Sequence, residues 1–191
     1  MKKLLLTSVG FVNPIIAKEF LKLFGKNPSE IKIIFIPTAS RTPEELVYVK
    51  ESKKELIGLG IKEENIFVFN LDKKLNYDDI KNYDSIYVCG GNTFYLAMKI
   101  KENGFDKIIS KLVNNSKVYV GVSAGSILAG SNIKVALPFD ENDVNLKDFK
   151  GLNLTDKIIN PHHDEKEEKI IEKFEKNFGH KVLRIKMDKH F

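Results

Sequence analysis

One cysteine, Cys89, serves the whole chain of 191 residues, so no disulfide can form within it. Disulfide-free chains belong to reducing compartments, and a cytoplasmic location is expected. Long apolar runs are missing as well: no stretch approaches the ~20 residues that a membrane span needs. The opening Met-Lys-Lys-Leu-Leu-Leu imitates a signal peptide, but its apolar run stops at Thr7-Ser8 and no small-residue cleavage site follows. A buried first strand, and no membrane partner, is the expectation. Arginine is scarce, occurring only at Arg41 and Arg184. The net charge of +5 therefore comes from lysines scattered among glutamates. That is the pattern of a solvated surface, not of a stripe tracking phosphates, so no nucleic-acid partner is expected. Repeats, low-complexity tracts and linkers are absent too. What remains, 42% apolar and 30% charged, is the composition of one globular domain over residues 1–191.

Short apolar runs alternate with longer amphipathic ones. Strands are expected at 4–9, 31–36, 66–69, 85–89, 117–122, 157–159 and 181–185. Between them lie helix signals. Asn13-Pro14 supplies a cap and a first-turn proline, with Ile16, Phe20, Leu23 and Phe24 at helical spacing and Gly25 as the stop. Thr42-Pro43-Glu44-Glu45 is a capping box opening a helix to about Gly60. A helix over 93–103 stops at Gly104 and continues helically over 105–113. Asp164 is expected to cap a last helix carrying Ile170, Ile171, Phe174 and Phe178 on one face. Strands buried on both faces and separated by helices pair in parallel through crossovers. The expected fold is α/β, a three-layer open, mostly parallel sheet with helices on both faces. Such sheets bind ligands beyond the carboxyl ends of their strands, which selects the loops after Val9, Ile36, Phe69, Cys89 and Val122. Residues 136–151 are acidic and aperiodic, a loop or lid.

The turn after the fifth expected strand reads Gly121-Val122-Ser123-Ala124-Gly125-Ser126. It fits Gly-x-Ser-x-Gly, the nucleophile elbow, where small neighbours are needed because a sharp strand-to-helix turn crowds the serine and lifts its hydroxyl clear of the sheet. The N–H of Ala124 would face a developing oxyanion. The plain alternative is a serine capping a helix. A second turn, Cys89-Gly90-Gly91-Asn92-Thr93-Phe94, offers a further oxyanion donor from Gly90 or Gly91, since glycines let backbone approach a ligand. Asn92 and Thr93 are candidate substrate contacts there, or simply helix caps; Cys89 reads as a buried strand residue.

A serine hydroxyl needs a base. Of four histidines, His180 and His190 lack a glycine-rich context, whereas His162 and His163 sit in a turn fixed by Pro161. The pair beside Asp164 also resembles a metal site, but adjacent side chains diverge and no other His or Cys cluster completes it; no metal is expected. A catalytic histidine also needs a carboxylate. Asp140, Glu141, Asp143 and Asp164 all remain candidates.

These motifs together resemble the dipeptidase E and cyanophycinase group of serine peptidases. The resemblance rests on Gly90 to Phe94, Ser123-Ala124-Gly125, Pro161-His162 and the early Pro37-Thr38-Ala39-Ser40, and spans roughly residues 3–185. It implies a flavodoxin-like sheet related to class I glutamine amidotransferases, with serine in place of cysteine. It implies Ser123 as nucleophile, His162 as general base, Ala124 and a glycine of the Gly90-Gly91 pair as oxyanion donors, and Asp140 as the acid, with Glu141 as the alternative. The implied activity is cofactor-free hydrolysis of small peptides, including dipeptides with N-terminal aspartate. Cyanophycinase-like or other small-amide hydrolysis is the alternative, as is a non-catalytic module binding small ligands at its two glycine turns. Two departures stand out. Lys166 and Lys169, not an arginine, follow closely on His162. The family commonly continues with strands beyond the point matching Ile185, so an uncovered sheet edge is expected, to be explained by dimer pairing, a divergent subfamily or a truncated reading frame, with the chain a monomer or homodimer.

Overall fold

The structure, a computed structural model, describes residues 2–187; His190 lies outside that range. Five parallel strands form the central sheet: β1 (Lys3–Thr7), β2 (Ile33–Ile36), β3 (Ile66–Val68), β4 (Ser85–Val88) and β5 (Val118–Val122), in the order β1-β5-β4-β2-β3. Their sequences, such as Ile-Ile-Phe-Ile and Val-Tyr-Val-Gly-Val, suit strands buried on both faces.

The period of two along each strand divides these residues between two cores. On one face Leu5, Ile33, Phe35, Tyr87, Val118 and Val120 pack against α1 (Pro14–Lys22) and α2 (Pro43–Gly58) through Ile16, Phe20 and Leu56. On the other, Leu6, Ile34, Ile86, Val88 and Tyr119 meet α4 (Thr93–Asn103), α5 (Phe105–Asn114), α6 (Ala124–Ala129) and α7 (Glu168–Phe178), which follow the four-residue α3 (Tyr77–Ile80) in the chain. Fully burying one such aliphatic or aromatic side chain contributes about 1.5–3 kcal/mol. Helices cover both faces, as the alternation of apolar runs requires.

The helix caps follow the local sequence. Asn13 accepts from Ile15 N–H at 2.9 Å, and Thr42 and Glu45 exchange both bonds of a capping box. Asp164 is different. It accepts from Lys166 and Glu167 N–H in a separate turn, and α7 begins only at Glu168. The helix also buries a narrower face than expected: Ile171 and Phe174 are inside, whereas Ile170 and Phe178 are 41% and 43% exposed. Residues 170 and 171 stand ~100° apart on a helix, too far to share a narrow seam.

A second, two-stranded parallel sheet joins β6 (Ile158–Asn160) to β7 (Val182–Arg184). Arg184 staples it to α7, reaching Glu168 at 2.7 Å and Glu175 at 2.9 Å. The guanidinium holds the Glu175 carboxyl down at about 2. Among the described residues, no helix is long and apolar enough to cross a membrane.

Candidate active site

β5 ends at Val122, and Ser123 follows with φ 49° and ψ −112°, a backbone conformation that side-chain-bearing residues rarely adopt. The neighbours that permit it have no side chain. A Cβ on Gly125 would lie 2.3 Å from the carbonyl oxygen of Val88 on the adjacent strand, and one on Gly121 would lie 2.6 Å from the Gly125 oxygen. Two buried hydroxyls lock the turn. Tyr119 donates to Gly125 O at 2.8 Å. Ser126, fully buried, accepts from Thr7 N–H at 3.0 Å and has the Thr7 and Gly121 carbonyls at 2.8 and 2.7 Å for its single proton. Neither residue was singled out from the sequence, although a serine on the buried side of an apolar turn is a signal that could have found Ser126. Ser123 N–H is itself used, donating to Thr7 O at 3.0 Å. Since α6 spans only six residues, any oxyanion binding rests on individual N–H groups more than on a helix dipole.

His162 arrives from the end of β6, in the left-handed region at φ 57°. Its N–H donates to the Ser8 hydroxyl at 2.9 Å, and Ser8 in turn faces the carbonyls of Ile185 and Lys186 at 3.1 and 3.2 Å. Ser8, 1% exposed at the end of β1, thus ties the histidine turn to the central sheet. The outcome is a contact of 2.8 Å between His162 Nε2 and Ser123 Oγ. Burial lowers the His162 pKa from its ordinary value, and the charge of Asp140 opposes this. The ring is therefore neutral at pH 7 and able to accept a proton at Nε2. His163 points the other way. It is buried, with Nε2 at 2.9 Å from Glu168. Among the described residues, no group of three His, Cys, Asp or Glu side chains is arranged to hold a metal ion.

The Gly90-Gly91 turn lies beside Ser123. A Cβ on Gly90 would approach Ser123 Cβ to 2.9 Å, and Gly91, at φ +124°, passes so close to Ala39 that a Cβ would meet its oxygen at 2.2 Å. Ser40 Oγ holds Gly90 O at 2.7 Å. Outside helices and strands, none of the N–H groups of Gly90, Gly91 and Ala124 donates to a backbone acceptor among the described residues. Asn92 and Thr93 are occupied differently. Asn92 caps α4 through Tyr95 N–H at 2.9 Å and reaches Glu141 O at 2.8 Å. Thr93 is fully buried, which removes its side chain from reach of substrate.

The carboxylate of Asp140 does not hydrogen-bond His162 among the described contacts. It accepts from Thr93 N–H at 2.8 Å, at the start of α4, where the helix offers unpaired donors. Its influence on His162 is through space. Glu141 is exposed and contributes its backbone oxygen to Asn92. The surrounding acidic segment is tied down rather than loose: Arg41 pairs with Asp143 at 2.7 Å and lies 4.5 Å over the Tyr95 ring, and Lys101 pairs with Asp148 at 3.0 Å. A groove of about 700 Å³ elsewhere, lined by Glu168, Glu172, Glu175 and Arg184, carries no serine or cysteine nucleophile.

Comparison with known proteins places this geometry in context. The sequence model of peptidase family S51 matches residues 4–188. An uncharacterized peptidase of Listeria monocytogenes is 35% identical over 169 residues, covering 86% of this chain and 79% of the relative. A Peptidase E of Nostoc is 33% identical over 169 residues, covering 85% of this chain and 66% of the relative. A crystal structure from Listeria monocytogenes, of a protein provisionally assigned as peptidase E, superposes with a TM-score of 0.82 at 31% identity, over 100% of this chain and 93% of that one.

Proposed function

The chain belongs to peptidase family S51 and is a serine peptidase, and from that premise we propose that it hydrolyses the amide bonds of small peptides, dipeptides with N-terminal aspartate among them. The observation that carries this reading is the contact of 2.8 Å between Ser123 Oγ, raised on its elbow, and His162 Nε2. In the proposed mechanism His162 takes the Ser123 proton as Oγ attacks the carbonyl carbon. The N–H of Ala124 and of the Gly90-Gly91 turn receive the oxyanion. His162 then passes its proton to the leaving amine, and the same base activates water to release the acyl group. Asp140 is the acid of this set, stabilising the imidazolium through its charge. The chemistry calls for no cofactor, nucleic acid or membrane. The setting proposed is the cytoplasm, with the chain as a monomer or homodimer.

Hydrolysis of a panel of Asp-x dipeptides, other dipeptides and cyanophycin tests the substrate class. The expected result is turnover of dipeptides, Asp-x among them. Cleavage of cyanophycin alone would replace this reading with that of a cyanophycinase-like enzyme.

The role of Asp140 has its own test in Asp140→Asn, which keeps an oxygen for Thr93 N–H. An acid bonded directly to the base is worth roughly 10⁴-fold in rate. A charge acting through space is worth less, and the variant should lose about tenfold or less in kcat/KM. The pH profile supplies the sign. His162 works only when neutral, so kcat/KM rises through a pKa below its ordinary value of 6.5. Because the Asp140 charge raises that pKa, its removal moves the acid limb to lower pH. A loss near 10⁴-fold would mean that the carboxylate meets His162 directly during turnover.

A further inference from the structure

A histidine that receives a proton at Nε2 must carry one on Nδ1, and that N–H needs an acceptor to hold the ring in this tautomer. The carboxylate expected in that place, Asp140, is engaged by Thr93 N–H. The atom at Nδ1 is the sulfur of Met187, 3.1 Å away. A thioether is a weak acceptor and carries no charge.

The placement of Met187 follows from the backbone. Beyond β7 the chain keeps pairing with the histidine turn: Ile185 N–H donates to Asn160 O at 2.9 Å, and His163 N–H to Ile185 O at 3.0 Å. Ser8 grips both segments at once, accepting from His162 N–H and facing the carbonyls of Ile185 and Lys186. Met187 therefore arrives beside the imidazole in a fixed register. Demand for core burial does not explain its position, since Met187 is 53% exposed.

We infer that Met187 is a positioning residue for the general base: its thioether accepts the Nδ1 proton of His162 and keeps the Nε2 lone pair on Ser123 without adding charge. The inference rests on the reading of His162 as base. It divides between two side chains the work that one carboxylate does in a Ser-His-acid site. Met187 orients the ring, and Asp140 steadies its charged form from a distance. Among the described residues, the hydrogen-bond partners of His162, namely Ser8, Ser123 and Met187, are neutral, and the charge that acts on the ring is that of Asp140.

The test uses the full chain with Met187→Leu and Met187→Glu, both at a largely exposed position. Imidazole ¹⁵N shifts, assigned to His162 by difference with His162→Ala, report the tautomer and require no substrate. They therefore read the Met187 contact even if Ser123 were inactive. The leucine variant should raise the Nε2–H population and lower kcat roughly threefold to tenfold, the worth of one neutral hydrogen bond, at unchanged KM. The glutamate variant should keep the Nδ1–H tautomer and move the acid limb of kcat/KM up by about one unit or more, as a carboxylate next to an imidazole does. Wild-type tautomer populations in Met187→Leu, or a loss confined to KM, would overturn the inference.

Discussion

Replacing Ser123 by alanine is expected to lower amide hydrolysis at least ~1000-fold while leaving the fold intact. The expectation has two physical parts. The Ser123 side chain is half-buried, and its hydroxyl meets His162 Nε2. Its removal leaves a neutral imidazole, not an orphaned buried charge, so stability changes little. The backbone strain at φ 49° is the same for alanine and is held by Tyr119, Ser126 and Thr7, which the substitution does not touch. Rate, by contrast, loses its nucleophile. What remains is binding and oxyanion stabilisation, which alone account for residual rates ~10³–10⁴-fold above water in serine hydrolases. Kinetics on the best dipeptide substrate, beside thermal unfolding, measures both parts. A serine-reactive fluorophosphonate adds a direct readout, labelling the native chain but neither Ser123→Ala nor, to any extent, a chain lacking the His162 base. Undiminished hydrolysis by Ser123→Ala would refute the nucleophile assignment.

The second large effect concerns stability and catalysis together. Gly125→Ala introduces a Cβ at 2.3 Å from Val88 O and 3.1 Å from Val88 Cβ. The first obstacle is backbone of the neighbouring strand, which cannot swing aside as a side chain can. Either β4 or the elbow must shift. Overpacking of this kind typically costs about 1–3 kcal/mol, which for a chain of this size corresponds to a fall in Tm of about 3–10 °C. The elbow carries Ser123, and a displacement near 1 Å can remove ~100-fold in rate. Calorimetry and kcat/KM should therefore both drop. Gly58→Ala, at the end of α2 where a Cβ meets nothing within 4 Å, is the matched control and should hold or gain stability. Wild-type Tm and activity in Gly125→Ala would show that the elbow tolerates a side chain at this point.

Much of this molecule is legible before folding is considered. The apolar runs separated by amphipathic segments dictate a parallel sheet with helices on both faces, because a strand without a polar side must be covered twice. Asn13, Thr42 and Gly104 mark helix ends through local chemistry alone, since a cap bonds to residues two or three positions away. The small residues around Ser123 announce a strained turn for the same reason: crowding at a strand-to-helix elbow is a property of neighbours in the chain.

Partners distant in sequence could not be read in this way. Asp140 and His162 are 22 positions apart, and nothing in an acidic run says that its carboxylate will settle on Thr93 N–H at the start of α4. Ser8 lies 154 residues from the histidine it supports, and Met187 reaches Nδ1 only because β7 pairs with β6 and the chain runs on beside the turn. Ser126 meets Thr7 across 119 residues. Local rules single out Ser123 because its constraint is steric and nearest-neighbour. Which groups orient and charge the histidine depends on how three strand ends, those of β1, β5 and β6, come together, and that is set by packing of the two cores rather than by any short stretch of sequence.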